Sequence, residues 1–155
     1  MSYDLNRFYK AQSAEYNGNE TALTEIKNSQ KVSHWIWYIF PQLKNLGRSS
    51  KAQDYKIDSI DEARAYFADP VLSKRLVEIS KTFADLAEIK PVKVLGHTDA
   101  MKVNSCVTLF LSVDPNNKTF KTVIDKYYGG KLDRFTIDIF NKETNGTEPP
   151  AEKKN

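Results

Sequence analysis

The run His34-Trp35-Ile36-Trp37-Tyr38-Ile39-Phe40 constrains this chain more than any other stretch. It contains no Lys, Arg, Asp or Glu, and so much aromatic and branched surface has to be taken out of water. Pro41 ends it, because the residue before a proline avoids helical ψ. A run this short and this apolar does not reveal by periodicity whether it is a buried helix or a strand. Its neighbours on both sides read as helices and no strand partner is visible, so the expectation is a short buried helix with Ser33 as its cap.

The remaining elements follow from spacing and from cap residues. Asp4 is placed to cap a helix carrying Leu5, Phe8, Tyr9 and Gln12, and Asn17-Gly18-Asn19 breaks it. Asn19 can cap a second helix with Ala22, Leu23 and Ile26. A loop through Leu46-Gly47-Arg48-Ser49 leads to a helical turn at Ser50–Tyr55. Ser59 and Glu62 have capping-box spacing, opening a helix through Tyr66 and Phe67. Asp69-Pro70 is a strong start signal, and Leu72, Leu76, Ile79, Phe83 and Leu86 then form one apolar stripe. Val92–Leu95 reads as a connector closed by Gly96, after which Thr98 caps a largely buried helix to Leu111. Phe120, Val123, Ile124 and Tyr127 mark another helix, stopped by Gly129-Gly130. Asp133–Phe140 is read as helical although Phe135, Ile137 and Ile139 alternate. The expectation is an all-α single compact domain over residues 1–142, followed by a disordered polar tail over residues 143–155. The helices, about seven to eight short ones, should form an irregular array or superhelix.

At 155 residues there is room for one domain, and a chain of this length buries roughly 68–70% of its unfolded surface. The net charge is +3, with both signs interspersed, which disfavours a nucleic-acid partner. Cys106 is the only cysteine, so an intramolecular disulfide and a Cys-rich zinc site are excluded. The polar opening Met1-Ser2-Tyr3-Asp4 does not resemble a signal segment, and no apolar run has membrane length. These features predict a soluble cytoplasmic protein without a membrane partner.

The string Ser33-His34-Trp35-Ile36-Trp37-Tyr38-Ile39-Phe40-Pro41-Gln42-Leu43 resembles the signature of domain-of-unknown-function family 1810, whose members are often mislabelled calpastatin. The resemblance continues colinearly from Asp4-Leu5-Asn6-Arg7-Phe8 to Tyr127-Tyr128-Gly129-Gly130 and Asp133. Between these lie Leu46-Gly47-Arg48-Ser49, Ala52-Gln53-Asp54-Tyr55, Asp69-Pro70-Val71-Leu72, and Asp99, Lys102, Ser105 and Thr108. It implies an all-α superhelical fold and no established activity. The calpastatin label implies nothing for a chain with a core, since an inhibitor of that kind is a long disordered chain.

Several side chains could carry chemistry, each against a structural alternative. His34 could act as a general acid or base near neutral pH, although a histidine among aromatics is more often a hydrogen-bonded core residue. Asp99, Lys102 and Ser105 lie at i, i+3, i+6 along one helix flank, where Lys102 could hold an anion and Asp99 orient it or accept a proton. Asp99 and Lys102 could instead simply pair in a first turn. The resemblance includes these polar positions one by one and favours a site. Arg48 beside Gly47 and Ser49 resembles a small anion-binding turn, and Trp35 and Trp37 could stack on a planar ligand or fill the core. Cys106, between apolar neighbours, reads as an inert thiol. With Gln42 and Tyr55 these residues could surround an anionic or nucleotide-like small molecule. The chain then reads as a small-molecule-binding domain, or an enzyme, needing no cofactor or metal. The alternative is a noncatalytic module offering a helical groove to a protein partner.

Overall fold

The computed structural model describes residues 3–44 and 49–145. Ten helices form among them: α1 Asn6–Gln12, α2 Asn19–Lys27, α3 Ile36–Ile39, α4 Ser50–Tyr55, α5 Ile60–Ala68, α6 Pro70–Ala84, α7 Pro91–Leu95, α8 His97–Val113, α9 Lys118–Tyr128 and α10 Arg134–Thr144. No strand occurs among the described residues. A lone parallel bridge between Leu43 and Ile57 ties the chain on either side of α4 together. The all-α expectation holds, with ten helices in place of seven or eight. The segment read as a connector is the short helix α7, begun by Pro91 at its first turn.

α8 is the central element. Val103, Cys106, Val107, Leu109 and Phe110 have no exposed surface, and the helix packs against α9, α10, α7, α5 and α3. α6 lays its stripe of Leu72, Leu76, Ile79 and Phe83 against α9 and α2. The ring of Phe83 stacks on Tyr127 with centroids 4.1 Å apart. Aromatic residues fill the other half of the core. Phe8 meets Tyr66 edge to face at 5.0 Å, and Tyr66 lies 5.3 Å from Phe110.

The strongest start signal behaves as expected. Asp69 Oδ1 accepts from the backbone N–H groups of Val71 and Leu72, with Pro70 at the first helical position. Four other proposed caps are corrected. α1 is capped by Leu5 without a side-chain bond, while the carbonyl of Asp4 accepts from the Arg7 guanidinium. Gly18, not Asn19, caps α2. A Cβ there would lie 2.3 Å from the Ala14 carbonyl oxygen, so the close chain approach places the turn one residue earlier. Thr98 sits inside α8, because Gly96 at φ +85° turns the chain just before His97. Ser33 is drawn to Glu25 instead, and α3 starts after Trp35. The capping box is half formed: Ser59 Oγ accepts from the N–H of Glu62, but the Glu62 carboxylate turns to Asp58 N–H and Arg7. The expected tail boundary also moves. Glu143 belongs to α10 and its Oε1 accepts from the backbone N–H of Ile60 at 2.8 Å, so the ordered helix runs past residue 142. The rest of the expected tail, from residue 146, lies outside the described residues.

Candidate functional site

The entry to the aromatic segment is organised by one carboxylate. Glu25, near the end of α2, accepts at Oε1 from the backbone N–H groups of Val32 (2.8 Å) and Ser33 (2.9 Å) and from the Trp35 indole N–H (2.9 Å). Its Oε2 accepts from the Ser33 hydroxyl at 2.5 Å. Burial alone would raise its pKa, but hydrogen bonds from the Ser33 hydroxyl, the backbone of Ser33 and Val32 and the Trp35 indole outweigh it and hold the carboxyl at about 2. Glu25 is therefore a permanent anion whose work is to fix the path of residues 31–35.

Lys31 joins this loop to the rest of the protein. Its backbone N–H donates to the Val94 carbonyl at 2.7 Å and its ammonium to the Ser33 carbonyl at 2.6 Å. The same ammonium lies 4.9 Å from the Trp35 ring centroid and 2.8 Å from Asp99 Oδ2, with the lysine side chain 7% exposed. Asp99 stands in the first turn of α8, where the helix dipole favours an anion. Its other oxygen, Oδ1, lies 3.7 Å from Lys102 Nζ, beyond hydrogen-bond length. The Lys102 ammonium sits over the face of Trp37, 5.4 Å from the centroid, and its side chain is 21% exposed. The indole N–H of Trp37 is buried with no hydrogen-bond partner among the described residues.

The expected site residues thus separate. Trp35, Asp99 and Lys102 come together, with Lys31 between them. Trp35 has no exposed surface, so it supports the cluster from inside. His34 is exposed, contrary to the core reading, because the loop turns outward between the anchored Ser33 and Trp35. Its carbonyl receives the Tyr38 hydroxyl at 3.3 Å, while its imidazole has no partner among the described residues. Gln42 is half-buried and its carbonyl accepts from Ile57 N–H in the Leu43–Ile57 bridge region. Ser49 caps α4, accepting from Ala52 N–H at 3.1 Å. Tyr55 lies against Tyr38 and Phe8, at 5.1 Å and 6.1 Å, as part of the aromatic core. Ser105 is buried and donates back to the Met101 carbonyl, four residues earlier in α8. Cys106 is fully buried, and desolvation pushes its thiol well above the ordinary value. Arg48 lies outside the described residues. Sequence reasoning missed Glu25 and Lys31. Their signal was available: opposite charges bracketing the turn Asn28-Ser29-Gln30 just before an uncharged aromatic run.

A cavity of about 320 Å³ opens elsewhere, lined by Tyr3, Asp4, Arg7, Asp54, Lys56 and Glu62 among others. The Arg7 guanidinium spans it, donating to the carbonyls of Asp54 and Lys56 and to Glu62 Oε2 at 3.0 Å. That arginine staples α1 to the α4–α5 connection, and none of the site residues expected from sequence lines the cavity. Among the described residues no group of three or more His, Cys, Asp or Glu is placed to hold a metal ion, and no helix is long and apolar enough to cross a membrane.

The fold is similar to that of the conserved hypothetical protein Rv1873 from Mycobacterium tuberculosis, known from a crystal structure. The TM-score is 0.82 at 35% sequence identity, covering 88% of this chain and 95% of that one. A search of curated proteins finds no match. Residues 2–140 match the family described as "Protein of unknown function (DUF1810)". That match spans all but the chain's end, includes α1–α9 and every candidate residue discussed above, and shows that the chain belongs to the DUF1810 family of proteins of unknown function.

Proposed function

We propose that this domain binds an anionic small molecule, nucleotide-like or otherwise phosphorylated, where the start of α8 meets the aromatic segment. The observation that carries the reading is the state of Lys102. Its ammonium is partly buried over an indole face, yet its nearest carboxylate is 3.7 Å away and turned toward another lysine. A lysine held this way is a fixed positive charge with unused donors, the property a phosphate or carboxylate ligand reads. His34 is exposed on the loop that enters the aromatic segment, and a catalytic role within this proposal would fall to its imidazole, the side chain there that exchanges a proton near neutral pH. A cytoplasmic setting belongs to the same proposal and suits a chain with one buried cysteine.

A thermal-shift screen against nucleotides, sugar phosphates and pyrophosphate tests it, because a ligand that binds only the folded state raises its stability. A concentration-dependent rise in Tm, lost in Lys102→Ala, is the expected result. A blank screen sinks the reading.

One observation favours the interaction-module alternative. Val32 and Met101, next in sequence to Lys31 and Lys102, are 70% and 62% exposed. Apolar side chains on show beside the cluster could meet a protein partner. Stoichiometric capture of one partner, unaffected by combined His34→Ala and Lys102→Ala, would support that reading over the first.

A further inference from the structure

Asp99 has two lysines within reach and serves them unequally, at 2.8 Å for Lys31 and 3.7 Å for Lys102. Building on the ligand reading above, we infer that Lys31 is a positioning residue: by occupying Asp99 it keeps the Lys102 ammonium available to an anion. The argument is competitive. Lys102 is three residues after Asp99 on one helix face, a spacing at which an aspartate and a lysine ordinarily close into an ion pair. Here Asp99 stays in ion-pair range of Lys102 at 3.7 Å, but its short contact goes to a lysine from outside the helix. That lysine is itself fixed by the Ser33 carbonyl, by the Trp35 ring and by its own backbone bond to Val94. Lys31 is the more buried of the two, with 7% of its side chain exposed against 21% for Lys102, so Lys102 is the one open to solvent. Without Lys31 the nearest cation to Asp99 is Lys102. The carboxylate then closes from 3.7 Å to hydrogen-bond distance and takes up a donor that a ligand would use.

Two readouts on the whole protein separate this inference from the reading it rests on. The first needs no ligand: acylation of Lys102 by an N-hydroxysuccinimide ester, followed by mass spectrometry. Lys31→Met is expected to slow labelling of Lys102 severalfold, and adding Asp99→Asn is expected to restore it. The second is the affinity for inorganic pyrophosphate. Lys31→Met should weaken it about two- to fivefold, the range of one partly exposed ion pair, and Lys31→Met with Asp99→Asn should bring it back. Recovery of Lys102 labelling in the double variant is the decisive result, because a lysine that merely braced the loop would not be replaced by removing its partner. Pyrophosphate affinity also follows the net charge of the cluster, which the double variant restores. Unchanged Lys102 labelling in Lys31→Met, or a loss that Asp99→Asn does not reverse, overturns the inference. If the labelling pattern holds but pyrophosphate does not bind the wild type, the inference about Lys31 and Asp99 stands and the ligand reading falls.

Discussion

Glu25 accepts four hydrogen bonds, and one donor is the indole of a tryptophan with no exposed surface. Replacing it with glutamine removes the charge that strengthens each bond and reduces the acceptors to one oxygen. Glu25→Gln should therefore lower the stability measured by urea unfolding at pH 7 by about 2 kcal/mol. The pH dependence has a defined sign. The folded pKa lies below the ordinary value of 4.5, at about 2, so the charge stabilises the fold above 4.5 and its contribution is lost as pH falls toward 2. The gap between wild type and Glu25→Gln should narrow over that window and not on the alkaline side. Cys106 provides a second check at this scale. A buried thiol with its pKa raised by desolvation should resist Ellman's reagent in the native protein and react at once after denaturation.

At the scale of elements, helix ends explain what could be read from the sequence and what could not. Asp69-Pro70 was legible because a local side chain does the local work. Asp69 caps α6, and its carboxylate also receives the Tyr9 hydroxyl at 2.7 Å and 2.8 Å. Asp69→Ala should thus destabilise by about 1–2 kcal/mol in thermal or chemical unfolding. Gly129 was legible for the same local reason. It sits at φ +60° as the left-handed cap of α9, and Gly129→Ala should lose about 1 kcal/mol in the same assay. Asp4, Asn19, Ser33 and Thr98 mislead because a neighbouring residue or a partner outside the turn decides where each helix starts. Gly18 pre-empts Asn19 and Gly96 pre-empts Thr98. Ser33 answers to Glu25 eight residues away, and the Asp4 carbonyl to Arg7. Asn117, which caps α9, was passed over because Asp114-Pro115-Asn116-Asn117 offers several residues of capping type in a row. The strand-like alternation of Phe135, Ile137 and Ile139 also gave way to tertiary context. α10 packs on α8 and α5, Asp133 caps it, and Phe135 is left 41% exposed.

Over the whole molecule, the sequence pointed to the place of the candidate site but not its construction. The aromatic segment and the start of α8 could be paired from their composition, and they do meet, through α3 against α8 and Lys102 over Trp37. That Lys31 would take the near side of Asp99 depends on the loop path set by Glu25, which is a three-dimensional fact. Ser49, Tyr55 and Ser105 looked equally polar in sequence but are taken up by a cap, the aromatic core and a helix carbonyl. What remains partly open to solvent is Lys102, while His34 is exposed on the loop that leads into the aromatic segment. The central claim is that this lysine is an anion-binding charge, and titration with inorganic pyrophosphate followed by unfolding temperature tests it most directly. Saturable stabilisation of the wild type, abolished in a Lys102→Ala variant whose circular dichroism is unchanged, is the predicted result. Equal stabilisation of both proteins, or of neither, contradicts it.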